Sequence, residues 1–218
     1  MKTTYLGPWL DSKVNYKQLI ENLLPEPGTC IFLDICDSTL VKNTHDLSYW
    51  ITVMRNTVSI GQTLPSLSQP LKLIGDEIMY YIPDSELAES GESYATIFDS
   101  VKNFMSTWGN EFDSYTMKLK GAIHYCADVY PISFIGSLKE TSKGIFEMEP
   151  FKDFYGSGID LTARLMKKAE EKLIVISDDF FNKAHSQSPE FFNGIQGPFQ
   201  ETFKGFQIPT TYWTYKVR

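Results

Sequence analysis

The stretch CIFLDICDST, residues 30–39, decides how the rest of the chain is read. An apolar run from Cys30 to Cys36 has the look of a central strand. Asp34 interrupts the run and Asp37 closes it. A carboxylate in a core strand is costly unless something positive meets it. Asp37, Ser38 and Thr39 are helix-capping types, so Asp37 reads as a cap rather than a ligand. Which cation Asp34 faces is then the question the remaining sequence has to answer.

The Pro-Glu-Pro-Gly breaker at 25–28 separates an N-terminal extension, 1–27, from a single domain, 28–218. After the first strand, Leu47, Trp50, Ile51, Met54 and Val58 recur at helical spacing over 46–61. The runs LKLI (71–74) and EIMYYI (77–82) flank Gly75-Asp76, a two-residue hairpin turn with glycine first. One helical stripe covers 86–108, and MKLKGAIHYC (117–126) follows as a strand. VYPISFI (129–135) and KGIFEME (143–149) predict a protruding pair of short strands or an irregular arm. A helix begins after Ser157 or Gly158, KLIVIS (172–177) is a strand, and a short helix runs from Asp178 to Ala184. The tail from Phe199 reads as two strands around a turn at Gln207 to Pro209. This order gives an α+β fold: a sheet with helices packed on it.

The composition narrows the class of partner. The chain has 218 residues, 42% of them hydrophobic and 22% charged, the profile of a soluble globular domain. A net charge of −7 argues against a broad nucleic-acid-binding face. It does not exclude a nucleotide, since divalent cations can stand between carboxylates and phosphates. Three cysteines, Cys30, Cys36 and Cys126, form no close-spaced pair, which argues against a disulfide scaffold or a zinc site. A reducing cytoplasm is the expected setting. No signal peptide opens the chain, and no apolar run approaches the roughly 20 residues of a membrane span.

If the strands carrying Asp34 and Asp76 are neighbours, both side chains converge at one sheet edge. Two carboxylates with a backbone carbonyl suit hard divalent ions such as Mg²⁺ or Mn²⁺, and a pair of ions can clamp a phosphate chain. Taken alone, Asp76 reads equally well as a turn residue. A metal site and a structural role both stay open on these residues.

At this point the sequence resembles a family. FLDICDST looks like the first metal-binding motif of class III nucleotidyl cyclases, and LKLIGDEIM resembles the second. GAIHYC is similar to their Gly-Ile-His strand. DFYGSGIDLTARLMKKAEEKLIVIS resembles the stretch with base-recognising and transition-state residues, and FKGFQIPTTYWTY resembles the Lys-Gly-Phe ending of bacterial cyclase domains. The motifs fall in order between about residues 28 and 217. The resemblance implies a ferredoxin-like cyclase homology domain with a mixed, mostly antiparallel sheet. It implies two Mg²⁺ or Mn²⁺ ions held by Asp34, the Ile35 carbonyl and Asp76. Attack of the ribose 3′-hydroxyl on the α-phosphorus would release pyrophosphate and form a 3′,5′-cyclic nucleotide.

The rest of such a site comes from a second subunit, so the resemblance implies a homodimer with shared active sites. Arg164 matches the arginine that stabilises the transition state, since a planar guanidinium can donate two parallel bonds to phosphate. Without the motif, Arg164 would be an i,i+4 partner of Asp160. Asp160 stands where the family usually has asparagine, as the ribose contact. Lys72 and Asp153 match the base-reading positions, a pair associated with ATP. Gly156 and Gly158 would let backbone approach the ligand. Phe206 falls near a triphosphate-binding lysine of animal enzymes, with Lys204 close by. His124 is expected to be a strand histidine with a structural hydrogen bond. A cyclase domain with almost nothing attached resembles the pyrimidine cyclases of bacterial antiphage systems, which make cyclic UMP or cyclic CMP for a separate effector. That is the preferred expectation. A soluble adenylate cyclase and an inactive nucleotide-binding module of the same fold are the alternatives.

Overall fold

The strand read from CIFLDIC forms as β1 (Gly28–Ile35), third of seven in the main sheet of the computed structural model. The structure describes residues 23–112, 117–140 and 146–218, and of 133–140, 146–152 and 191–192 it describes the backbone alone. Residues 1–22, most of the expected N-terminal extension, lie outside the described residues.

The sheet order is β2-β3-β1-β4-β7-β9-β8. Its members are β2 (Lys72–Ile74), β3 (Glu77–Pro83), β4 (Leu119–Cys126), β7 (Leu173–Ser177), β8 (Ile195–Glu201) and β9 (Thr210–Lys216). Only β4 and β7 pair in parallel; the other neighbours are antiparallel. A parallel pair needs a crossover, and here the crossover carries a helix, α5 (Ser157–Met166). The expected arm is a separate two-stranded sheet of β5 (Tyr130–Glu140) and β6 (Phe146–Tyr155), longer than the sequence suggests.

Side chains along β1 alternate between two cores. Ile31, Leu33 and Ile35 face a layer of α2 (Leu47–Gln62), α4 (Tyr94–Phe112) and α6 (Asp178–Gln187), with Phe104, Trp108 and Phe180 fully buried. The Trp108 indole donates to the buried Thr57 hydroxyl at 2.8 Å, so the largest core side chain leaves its N–H satisfied. Cys30 and Phe32 face the other way, with Met79, Ala122 and Val175, beneath Leu165 and Met166 of α5. The same alternation puts Asp34 on the α5 side of the sheet.

Three expectations are corrected. The stripe over 86–108 is two helices, α3 (Asp84–Ser90) and α4, because Gly91 at φ 71° closes the first with a left-handed cap. Asp37 precedes α1 (Ser38–Thr44) but itself takes φ 56°, and its side chain caps nothing. The final hairpin begins earlier, at Ile195, and its connection occupies 202–209. The Gly75-Asp76 turn forms as expected, with Gly75 at φ 69°, a conformation glycine adopts without strain.

Candidate active site

Strand register assembles the acidic centre. Asp34 lies opposite Glu77 on β3 and opposite Lys120 on β4, so the three side chains form a row on the α5 side of the sheet. Asp76 projects from the β2–β3 turn, close enough to Asp34 for the two carboxyls to share a hydrogen bond. Each acid already meets a cation. Lys120 Nζ lies 3.1 Å from Asp34 Oδ2, and Lys42 Nζ, reaching across from α1, lies 2.8 Å from Asp76 Oδ1. The Lys42 ammonium also sits 4.5 Å from the centre of the Trp50 ring.

The environment splits the two acids. Burial pushes Asp34 above its ordinary value, against the opposing pull of Lys120. Burial also acts to raise Asp76, but hydrogen bonds from Lys42 and the Ser38 hydroxyl bring it below the ordinary range. Glu77 is pushed up to about 7 by burial and by the neighbouring Asp34. Burial alone would lower Lys120; its bond to Asp34 keeps it above the usual lysine value. Two carboxyls this close either share a proton or hold a cation between them.

The donor set fits a hard divalent ion. Asp34 and Asp76 offer only oxygens, the Ile35 carbonyl follows Asp34 at the strand end, and both lysines are partly exposed on flexible stems that can withdraw. Among the described residues, no three His, Cys, Asp or Glu side chains form a ready metal cage. An ion here would complete its shell with water or phosphate oxygens, the habit of Mg²⁺.

Lys72 and Asp153, separated by 81 positions in sequence, are brought together. Lys72 Nζ donates to both Asp153 oxygens, at 2.8 and 2.7 Å, and Asp153 also accepts from the Phe154 amide at 2.8 Å. Asp153 is 4% exposed, so this is a buried carboxylate with its partners in place. The pair sits on the α5 side as well, since Lys72 is in register with Met79.

Asp160 and Arg164 lie one turn apart on α5, away from its buried residues Gly158, Thr162, Leu165 and Met166. The i,i+4 ion pair between them is not formed, and among the described residues Arg164 pairs with no carboxylate. Gly156 and Gly158 are tightly packed within the chain. A Cβ at Gly156 would stand 2.1 Å from the Asp128 carbonyl, and one at Gly158 would stand 2.7 Å from Cys126 Sγ. Both therefore allow α5 to pack against the end of β4. Lys204 is exposed in the tight turn from Phe203 to Phe206 and has no ion-pair partner among the described residues. His124 is 4% exposed and its pKa is pushed down to about 4 by burial, so it is neutral. Its Nδ1 lacks the structural hydrogen bond expected for it.

Sequence reasoning missed Lys42 and Lys120. The signal for Lys120 was present: it alternates onto the same strand face as Ala122 and His124, where an ordinary surface lysine does not belong.

No family model matches the sequence, and no curated protein matches it. Solved structures do match in fold. The adenylyl cyclase CyaB of P. aeruginosa superposes with a TM-score of 0.63 at 12% identity, over 88% of this chain and 95% of that one. An adenylate/guanylate cyclase/hydrolase of Silicibacter pomeroyi gives 0.61 at 12% identity, over 90% and 100%. A Trypanosoma brucei adenylate cyclase in its monomeric state gives 0.59 at 16% identity, over 90% and 92%. With a seven-stranded, mostly antiparallel sheet and this order of helices, the chain has the cyclase homology fold of adenylyl and guanylyl cyclase catalytic domains.

Proposed function

We propose that this chain is a nucleotidyl cyclase that converts a nucleoside triphosphate to a 3′,5′-cyclic nucleotide and pyrophosphate. The observation that carries the reading is the Asp34–Asp76 pair at one sheet edge, held close by two lysines that a divalent ion can replace. Asp34, Asp76 and the Ile35 carbonyl would hold Mg²⁺ or Mn²⁺. When bound, such ions supply charge neutralisation on the phosphate chain and acidify the ribose 3′-hydroxyl.

The chain's own residues do the rest. The 3′-oxygen bonds to the α-phosphorus, the bond to the β-phosphate oxygen breaks, and the hydroxyl proton passes to solvent. Lys120, freed from Asp34, faces the phosphate chain, and Lys204 supplies a further positive charge from the β8–β9 connection. Arg164 of the twin subunit donates to the α-phosphate oxygens as charge builds there. Among the described residues Arg164 has no ion pair, which leaves that guanidinium available for it. Asp160, one turn away, contacts the ribose. Lys72 spends two of its three N–H groups on Asp153, leaving one to donate to a base.

For the base we propose a pyrimidine, UTP or CTP, with the cyclic product read by a separate effector in antiphage signalling. The support is the third N–H of Lys72, which can donate to a pyrimidine carbonyl. A second reading, ATP, is favoured by the closed Lys72–Asp153 pair. Incubating the protein with each of the four nucleoside triphosphates and Mn²⁺, and resolving products by chromatography, tests both. A cyclic pyrimidine upholds the first, cyclic AMP the second. No product from any of them refutes the cyclase assignment, and undiminished turnover by Asp76→Ala refutes the assignment of Asp76 as a metal ligand.

A further inference from the structure

Lys42 reaches the acidic centre from helix α1 rather than from the sheet. Among the described residues its ammonium contacts Asp76 at 2.8 Å and the face of Trp50 at 4.5 Å. Its side chain is 35% exposed, and that of Asp76 is 22% exposed. A cation so placed has a simple first consequence. It neutralises Asp76 and lets it approach Asp34, an approach that two bare carboxylates would resist.

The second consequence follows from charge. A divalent ion on Asp76 takes over the oxygen that Lys42 now holds, and the ammonium is then repelled from its present seat. The α1 backbone fixes its Cα, so it remains within a side-chain length of the site. Trp50 offers only a weak cation–π seat. A polyphosphate drawn to the ion brings several negative charges to the same edge, and that is the stronger attraction.

We propose that Lys42 is a phosphate-binding residue held in reserve: a tethered counter-ion of Asp76 when no divalent ion is present, and a ligand of the polyphosphate when one is. This rests on the reading of the site as one for a nucleoside triphosphate. Compared with a plain surface ion pair, which contributes little and changes little when cut, it makes an unusual demand. Removing the ammonium must strengthen one ligand and weaken another.

The test uses two probes and no turnover. Mn²⁺ alone is titrated by electron paramagnetic resonance, and inorganic tripolyphosphate is titrated calorimetrically at saturating Mn²⁺. Against wild type, Lys42→Met is expected to bind Mn²⁺ about tenfold more tightly and tripolyphosphate about tenfold more weakly, each being the 1.4 kcal/mol of one charge-assisted contact. Lys42→Arg keeps both constants near wild type and shows that the helix tolerates substitution. Tighter Mn²⁺ with unchanged tripolyphosphate overturns the proposal, leaving a counter-ion only. So do two unchanged constants, or two that move in the same direction. Wild-type protein that binds neither probe overturns the triphosphate-site reading itself, which separates that failure from a failure of Lys42.

Discussion

Glu77 faces Asp34 across β1 and β3, and its carboxyl takes up a proton at about 7 because burial and the neighbouring charge disfavour ionisation. Unfolded, it would titrate near 4.5. Between those values the folded chain holds more protons than the unfolded one, so stability falls as pH rises through the window. Asp34, also raised, adds in the same direction at lower pH. In chelator, the protein is expected to lose roughly 1–2 kcal/mol between pH 5 and 8 from Glu77, after allowance for solvent screening of a half-buried group. Glu77→Gln should flatten that slope and gain about the same amount at pH 8. Denaturant titrations at the two pH values measure it, and equal slopes for variant and wild type would remove Glu77 as the cause. At this scale the sequence is informative where a residue violates its surroundings. Asp34 in an apolar strand announces a site. Lys42 announces nothing, because a lysine on a short helix after a turn is ordinary, and only the fold carries it to Asp76. Asp153 is intermediate: its motif points to Lys72, but nothing local says that it is 4% exposed.

The Lys72–Asp153 pair joins two elements that hydrogen-bonded strand pairing leaves separate, the edge strand β2 and the β5–β6 arm. Asp153 has two Lys72 contacts and one backbone amide, so cutting the lysine strands a buried charge. Lys72→Ala is expected to cost about 2–3 kcal/mol, and Asp153→Ala somewhat less. Adding Asp153→Ala to Lys72→Ala should then recover part of the loss, a coupling that a double-mutant cycle in urea reads directly. Strict additivity would mean that the pair does not tie the arm down. Elements were legible to the degree that one local rule governed them. Gly75-Asp76 fixed a hairpin, and alternation fixed β1. The break at Gly91 escaped because the apolar stripe continues across it: Leu87 of α3 and Tyr94 and Ile97 of α4 are all buried in one cluster. Burial periodicity reports a shared face, and the same face can be served by one helix or by two.

For the whole molecule, the decisive feature is which functional groups do not meet. The acid pair is complete with its lysines, and the Lys72–Asp153 pair is closed on itself, yet among the described residues Arg164 pairs with no carboxylate in its own chain. An arginine that serves the α-phosphate from another subunit would look this way in a single chain. A two-fold dimer would then carry two equivalent sites, each with Asp34 and Asp76 from one protomer and Arg164 from its partner. Asp34→Ala and Arg164→Ala proteins should each be inactive. Mixed in equal amounts and allowed to exchange, about half of the dimers are mixed, and each mixed dimer has one intact site out of two. Turnover should therefore return to about a quarter of the wild-type level, with the other site of each mixed dimer doubly disabled. Exchange is followed independently by fluorescence transfer between labelled protomers. Exchange without recovered activity would place Arg164 and the acids in the same chain's site, and the division of labour across the two-fold would be lost with it.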